Sequence, residues 1–490
     1  MIEVSTQTRS TLVRSLLRAA PWGALLAFAG LVAFYSSRYP REGLALAAGV
    51  LVASILALRA QRADGASSLR WIPVAWVLLF LVAEHRFDVG RSPLEAATGN
   101  ASFENILEIA VYALVAAMTL RSRRMLVRRS PSRIPKVPIV LFPLFAIAST
   151  LWSPIPLFTL IRSLQLFVVV SLALLTIRIW RFSAEMGQSI WTGTLRLLVQ
   201  AVTVLSLIGF IVHIWPDDRF AWPGLLPGAA SIYVGVAFLI LVVGGRSLAP
   251  RPKWAYWPRL CLFAAAIYLG QTRSVLAALT VAGLAAVWIL GREKVHGRYF
   301  GILYFGVGVL LVFLVARTPV VDYLARGERS GVFSSLNGRV PLWELAIQEV
   351  SQAGKWLVGF GYGSPRILLY PKVSWAGTAH SSWIEVLMGV GIIGALLFAA
   401  DLIYLTWRLV WVSDASRSTR LAFVILVFLF VISGTSEILV LPSIGFGLLA
   451  LIHCPALGPQ RWPYGVGAHP PSNTTREARG QFAAPNRPRR

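Results

Sequence analysis

The chain has 490 residues, 56% of them hydrophobic, and a mean hydropathy of +0.67. Apolar runs this numerous exceed what one soluble core absorbs, so the sequence is that of a polytopic membrane protein whose expected element is the helix. The 46 Lys and Arg against 21 Asp and Glu give +25; their placement in short connections and a C-terminal tail excludes the nucleic-acid partner that such a balance suggests in a soluble protein.

In chain order, Arg9, Arg14 and Arg18 precede an apolar run over 21–35. It reads as a first crossing and not a secretory signal, because no small-residue cleavage site follows and a second run starts near Leu44. Further apolar runs approach the ~20 residues that span hydrocarbon. They cover 71–84, 104–120, 137–152, 157–180, 196–215, 228–245, 257–271, 274–290, 298–316, 382–411, 419–436 and 439–453. The expectation is fourteen crossings, or twelve if the shortest are re-entrant.

The connections set an orientation. Segment 121–136 carries Arg121, Arg123, Arg124, Arg128, Arg129, Arg133 and Lys136, whereas the next connection, Ser153-Pro-Ile-Pro156, is uncharged. The first is expected inside and the second outside, which extends to both termini inside and 317–380 outside. The chain then divides into an N-terminal transmembrane bundle over 1–316, an external loop over 317–380, C-terminal transmembrane helices over 381–453 and a disordered basic tail over 454–490. Within the loop, Leu342, Trp343, Leu345, Ala346 and Val350 have the spacing of a short amphipathic helix over 340–353 that would lie on the membrane surface.

Candidate chemistry concentrates where this external loop returns to the membrane. Arg162 lies near the external end of its crossing, and Arg273 interrupts two apolar runs at Gly270-Gln-Thr-Arg-Ser274. An arginine at the lip of a span costs a few kcal/mol unless it finds an anion or a carbonyl or snorkels to headgroups. Arg339 opens the amphipathic helix, where a guanidinium and free N–H groups suit a phosphate, although a helix-start surface charge reads the same. His380 sits at the re-entry Gly377-Thr-Ala-His-Ser-Ser-Trp-Ile-Glu385, placed to accept or orient a hydroxyl proton; a structural interfacial histidine is the alternative. Glu385, five residues on, is a candidate partner for an arginine. Gly359-Phe-Gly-Tyr-Gly363 lacks the lysine and the strand-turn-helix unit of a nucleotide loop and reads as a flexible turn. Gly389, Gly391 and Gly394 permit close helix contact. Cys261 and Cys454 offer neither a disulfide framework nor a metal spacing, and no metal cluster or cofactor motif is visible in the sequence.

Between about 260 and 410 the sequence resembles the bacterial O-antigen ligase and polymerase family. The matching pieces are Gln271-Thr-Arg273-Ser, Gly338-Arg339 with Trp343, Gly359 to Gly363, and Ala379-His380-Ser-Ser-Trp-Ile-Glu385 followed by Gly389, Gly391 and Gly394. Many relatives carry asparagine where this chain has Ser381. The resemblance implies a metal-independent, inverting glycosyltransferase of the GT-C type without a cofactor, an all-α protein of about 12–14 transmembrane helices with one large periplasmic loop in the bacterial inner membrane. It would move a glycan from undecaprenyl diphosphate to a sugar hydroxyl of lipid A–core at the periplasmic face. In that reading Arg273, Arg339 and Arg162 bind the donor diphosphate, His380 is catalytic, and Glu385, Trp343 and Ser381 support them. Polymerase and protein O-oligosaccharyltransferase activities belong to the same family and remain alternatives. A lipid or solute transporter is the reading from another class; it calls for ionisable groups near mid-membrane, whereas these gather at the external lip.

Overall fold

The computed structural model describes residues 69, 71–83, 103–129, 138–212, 219–222, 225–250, 252–291, 338–373, 378–412 and 416–458. The expected crossings near the N-terminus and over 298–316, and the tail from 459 on, lie outside these residues. The described elements are helical: α1 (Trp71–Val82), α2 (Phe103–Arg129), α3 (Leu141–Ala148, between two 3-10 turns), α4 (Pro156–Phe182), α5 (Ala184–Val212), α6 (Pro227–Leu248), α7 (Tyr256–Gly270), α8 (Arg273–Gly291), α9 (Arg339–Gln352), α10 (Pro365–Leu369), α11 (Ser382–Trp407), α12 (Arg417–Ser433) and α13 (Ile444–Ala456). Among the described residues, four helices are long and apolar enough to cross a membrane: α4, α5, α6 and α11 with its π-helical continuation to Trp411. Shorter apolar helices accompany them, including α1, α8 and α13.

Two boundaries differ from the expectation. The run 121–129 is not a connection, because α2 continues to Arg129. Arginine has high helix propensity, so charge alone does not end a helix. Helix α5 begins at Ala184 and not near 196, with Gln188 on its first turns held in a two-way hydrogen bond by Ser418 of α12 (2.9 and 3.1 Å).

One core joins the bundle, with Trp76, Trp191, Trp222, Tyr233, Phe142 and Phe428 fully enclosed. Helix α8 packs on α12, α7 on α6, and α13 on α4. At one end of the bundle, arginines close α13: Arg181 donates to the Leu457 carbonyl (3.3 Å) and Arg408 to that of Ala456 (3.1 Å). Cations there satisfy carbonyls that lack helical partners.

The segment 354–363 is inserted into α11. That helix breaks at Gly391, whose φ of 67° and ψ of −169° belong to glycine alone. The break releases backbone groups that hydrocarbon cannot satisfy, and the segment takes them up. Phe360 and Gly361 N–H donate to the carbonyls of Met388 (2.9 Å) and Gly389 (2.7 Å), while Ile392 and Ile393 N–H donate to Trp356 (2.8 Å) and Leu357 (3.2 Å). Trp152 of the turn after α3 donates to Val358 (3.1 Å). The glycine run is therefore a fixed plug in a broken helix and not a flexible turn. A Cβ on Gly359 would lie 2.5 Å from the Gly389 backbone, so backbone approach explains the glycine.

Helix α9 also departs from its expected surface position. Its apolar side, Leu342, Ala346 and Val350, is buried in a second cluster with Leu369, Ala379 and Met388. The amphipathic stripe serves packing over the re-entry of α11, and Lys372 pairs with Glu349 to tie the end of α10 to α9.

Candidate active site

The site is assembled from three parts at the end of the bundle opposite Arg181 and Arg408. The first joins α7 to α8. Gln271 adopts a left-handed conformation (φ 47°) with its N–H bonded to Tyr268 O, and Thr272 O accepts from Val275 (3.0 Å) and Leu276 (3.2 Å), so that Arg273 opens α8. At Gly270 a Cβ would come within 2.4 Å of Ser231 Oγ, a hydroxyl that bonds Thr272 and the Pro227 carbonyl, so a side chain there would disturb those bonds.

The second is the start of α9, where Gly338 holds a left-handed conformation (φ 77°) and Arg339 is the first helical residue. Burial lowers the affinity of the Arg339 guanidinium for its proton. Glu437 acts in the opposite sense, and the like charge of Arg273 reinforces the lowering. These couplings bring Arg273, Arg339 and Glu437 into one electrostatic neighbourhood.

The third part carries His380. Its neighbour Ala379 is fully buried and gripped from both sides: its N–H donates to Glu385 Oε2 (2.9 Å) and its carbonyl accepts from Trp343 Nε1 of α9 (2.9 Å). His380 itself is left-handed, with φ of 50°. Among the described residues, Gln271 and His380 are the non-glycine residues with positive φ, and both adjoin this site. Such strain persists only where surrounding bonds over-determine it.

The His380 ring Nδ1 faces Glu437 Oε2 at 3.7 Å, an ion-pair separation longer than a hydrogen bond, with Thr378 Oγ1 at 3.5 Å. Glu437 sits between α12 and α13. Burial would raise its carboxyl, but the facing His380 ring and the Thr378 hydroxyl prevail and push it down to about 2. Ser382, the first residue of α11, fixes the two loops together. Its N–H (2.9 Å) and hydroxyl (2.8 Å) both donate to Ser436 O, while Leu439 N–H donates to its Oγ (3.2 Å). Ser381 is buried and extended, and it makes no side-chain cap for α11; its carbonyl accepts from Glu385 N–H (2.9 Å).

Arg162 has an internal counter-charge. Its Nη1 pairs with Glu108 Oε1 of α2 (2.6 Å) and Gln165 Oε1 (3.0 Å), and its guanidinium lies 5.5 Å over the Phe158 ring. Its helix α4 meets the site through Thr159, whose Oγ1 donates to Tyr362 O (2.9 Å), and the Tyr362 hydroxyl donates to Val440 O (2.6 Å), three residues from Glu437.

The structure thus brings Arg273, Arg339, His380, Trp343 and Glu385 into one locality and gives Arg162 an internal counter-charge. Sequence reasoning missed Glu437, Ser382 and Thr378. Glu437 was detectable as the lone acid between the last two apolar runs.

Among the described residues, a helical bundle with apolar helices long enough to cross a membrane thus gathers two arginines, a histidine with positive φ and a carboxylate at one end. Residues 259–399 match the family model described as O-Antigen ligase. That match supports assigning the chain to the O-antigen ligase family, whose broad activity is of the ligase and polymerase kind. No curated protein matches the chain.

Proposed function

We propose that this protein is an O-antigen ligase, transferring a glycan from undecaprenyl diphosphate to a sugar hydroxyl of lipid A–core at the periplasmic face of the inner membrane. The observation that carries the reading is the convergence of Arg273 and Arg339 with the His380–Glu437 pair, three of the four residues lying inside the matched range.

The chemistry follows from charge and proton placement. With Nδ1 facing the Glu437 carboxylate, the tautomer protonated on Nδ1 makes Nε2 the basic nitrogen, the one that takes the acceptor proton. The acceptor oxygen attacks the anomeric carbon as the bond from that carbon to the diphosphate oxygen breaks, and the bond pair leaves with the diphosphate. Attack opposite the leaving group inverts the anomeric centre. Arg273 and Arg339 balance the charge that develops on the leaving group, so no metal is invoked. Glu437 stabilises the imidazolium and does not itself take the proton, consistent with a carboxyl held near 2. Arg162, already balanced by Glu108, supports the fold around Tyr362 and is not a donor ligand in this reading.

The test mixes purified protein with undecaprenyl-diphosphate glycan and, in separate reactions, lipid A–core, a second carrier-linked glycan or an acceptor protein. Transfer to lipid A–core, lost in His380→Ala, is expected. Product on carrier-linked glycan alone would make the protein a polymerase, product on the acceptor protein alone a protein O-oligosaccharyltransferase, and no product on any acceptor would reject glycosyl transfer.

A further inference from the structure

Arg219 lies forty residues before the range that matches the O-antigen ligase family, in the segment 219–222 between α5 and α6. It is half-buried, and its side chain is spent on the turn that carries Arg273. Nε and Nη2 both donate to Gly270 O at 3.1 Å, and Nη2 also donates to Thr272 Oγ1 at 3.2 Å. The adjacent Phe220 N–H donates to Leu269 O at 3.1 Å.

These bonds answer a specific need. The last carbonyls of a helix have no partners within it, and a cation at that end is favourable. At α7 those carbonyls belong to Leu269 and Gly270, and segment 219–222 takes both. By holding Gly270 O and the Thr272 hydroxyl together, the guanidinium also brackets Gln271, whose left-handed backbone needs such restraint. Thr272 is tied further to Ser231 Oγ of α6 at 3.0 Å. The residue after this bracket is Arg273.

We propose that Arg219 is a positioning residue for donor binding: it fixes the α7–α8 turn so that Arg273 meets the diphosphate of the lipid carrier. The inference rests on the donor role given to Arg273 above. A lysine keeps the charge but presents one compact ammonium in place of the fork, so it does not bridge Gly270 and Thr272 from the same position.

The test uses the full chain in nanodiscs and undecaprenyl diphosphate as the probe, with Kd measured for wild type, R219Q, R219K, R273Q and the double variant R219Q/R273Q. Circular dichroism and size exclusion check folding. R219Q is expected to weaken binding roughly tenfold, the size of losing bonds from a charged donor, and R219K roughly threefold or more. In the R273Q background the added R219Q change should alter Kd by less than about twofold, because a residue acting through Arg273 has nothing left to position. In turnover, R219Q should raise the donor KM and leave the acceptor KM unchanged. Should R219Q not fold, R219K replaces it, with its own roughly threefold or larger loss and the same dependence on Arg273. With R273Q weakened, unchanged binding in R219Q and R219K, or a full loss repeated in the R273Q background, overturns the inference alone; an R273Q variant that binds like wild type overturns the donor role of Arg273. Wild-type protein that does not bind the lipid overturns the donor reading, and this inference with it.

Discussion

Ser382 donates twice to one acceptor: its N–H and its hydroxyl both meet the carbonyl of Ser436, at 2.9 and 2.8 Å. The strand of chain before α11 is thereby pinned to the loop that carries Glu437. Ser382→Ala removes the hydroxyl and strands the buried Leu439 N–H, which should cost about 1–3 kcal/mol. It should also let Glu437 drift from His380, so glycan transfer should fall by more than thermal stability explains. A variant with transfer like wild type at a temperature where both proteins are folded would show that the two loops do not depend on this clamp.

Glu437 makes stability depend on pH in a defined direction. Its carboxyl lies at about 2 in the folded protein against an ordinary 4.5, so the unfolded chain binds more protons between those values. The contribution, on the order of 3 kcal/mol by the size of that shift, is complete above pH 4.5 and drains as pH falls toward 2. Thermal unfolding of solubilised protein between pH 7 and 3 should show a steeper acid limb for wild type than for Glu437→Gln. Parallel curves would mean that the His380–Glu437 pairing does not stabilise the fold.

The plug in α11 gives a contrast between two glycines. Gly391 holds a conformation open to glycine alone, and a Cβ there would lie 2.4 Å from the Leu357 backbone, so Gly391→Ala should destabilise by more than about 3 kcal/mol or abolish membrane accumulation. Gly228, in the first turn of α6, has open space around a built Cβ, and Gly228→Ala should change stability by less than about 1 kcal/mol. Quantifying folded protein in extracted membranes separates the two. Equal yields would show that the segment 354–363 is not seated in the break.

Local pattern made much of this legible in the sequence, and long-range pairing hid the rest. The starts of α8 at Arg273 and of α9 near Arg339, and the re-entry at His380, follow from interruptions in apolar runs, and the structure has helices beginning there. The first turns of α5 were invisible because Ala184 to Leu195 is weakly apolar and is held by α12, a partner more than two hundred residues away. The plug was misread because glycines in sequence do not say whether they provide freedom or close approach. Glu437 escaped notice because a single acid in a short connection has no periodicity; its role exists only once α11 and the loop after α12 are brought together.

Arg162 joins the charge that marked it as a donor-ligand candidate to an internal partner, and the two duties can be told apart. Its guanidinium meets Glu108 at 2.6 Å in a setting where both side chains are mostly enclosed, with 18% and 11% exposure. Removing one member of an enclosed pair leaves the other uncompensated, a loss of about 3–5 kcal/mol, whereas neutralising both costs much less. Arg162→Gln should therefore lower the unfolding temperature sharply, and Glu108→Gln combined with Arg162→Gln should restore most of it. The double variant also separates the roles open to this arginine: if Arg162 only braces α2 against α4, the rescued protein should transfer glycan at near wild-type rates with an unchanged donor KM. A double variant that is as stable as wild type yet shows a donor KM raised tenfold or more would instead place Arg162 beside Arg273 and Arg339 on the diphosphate.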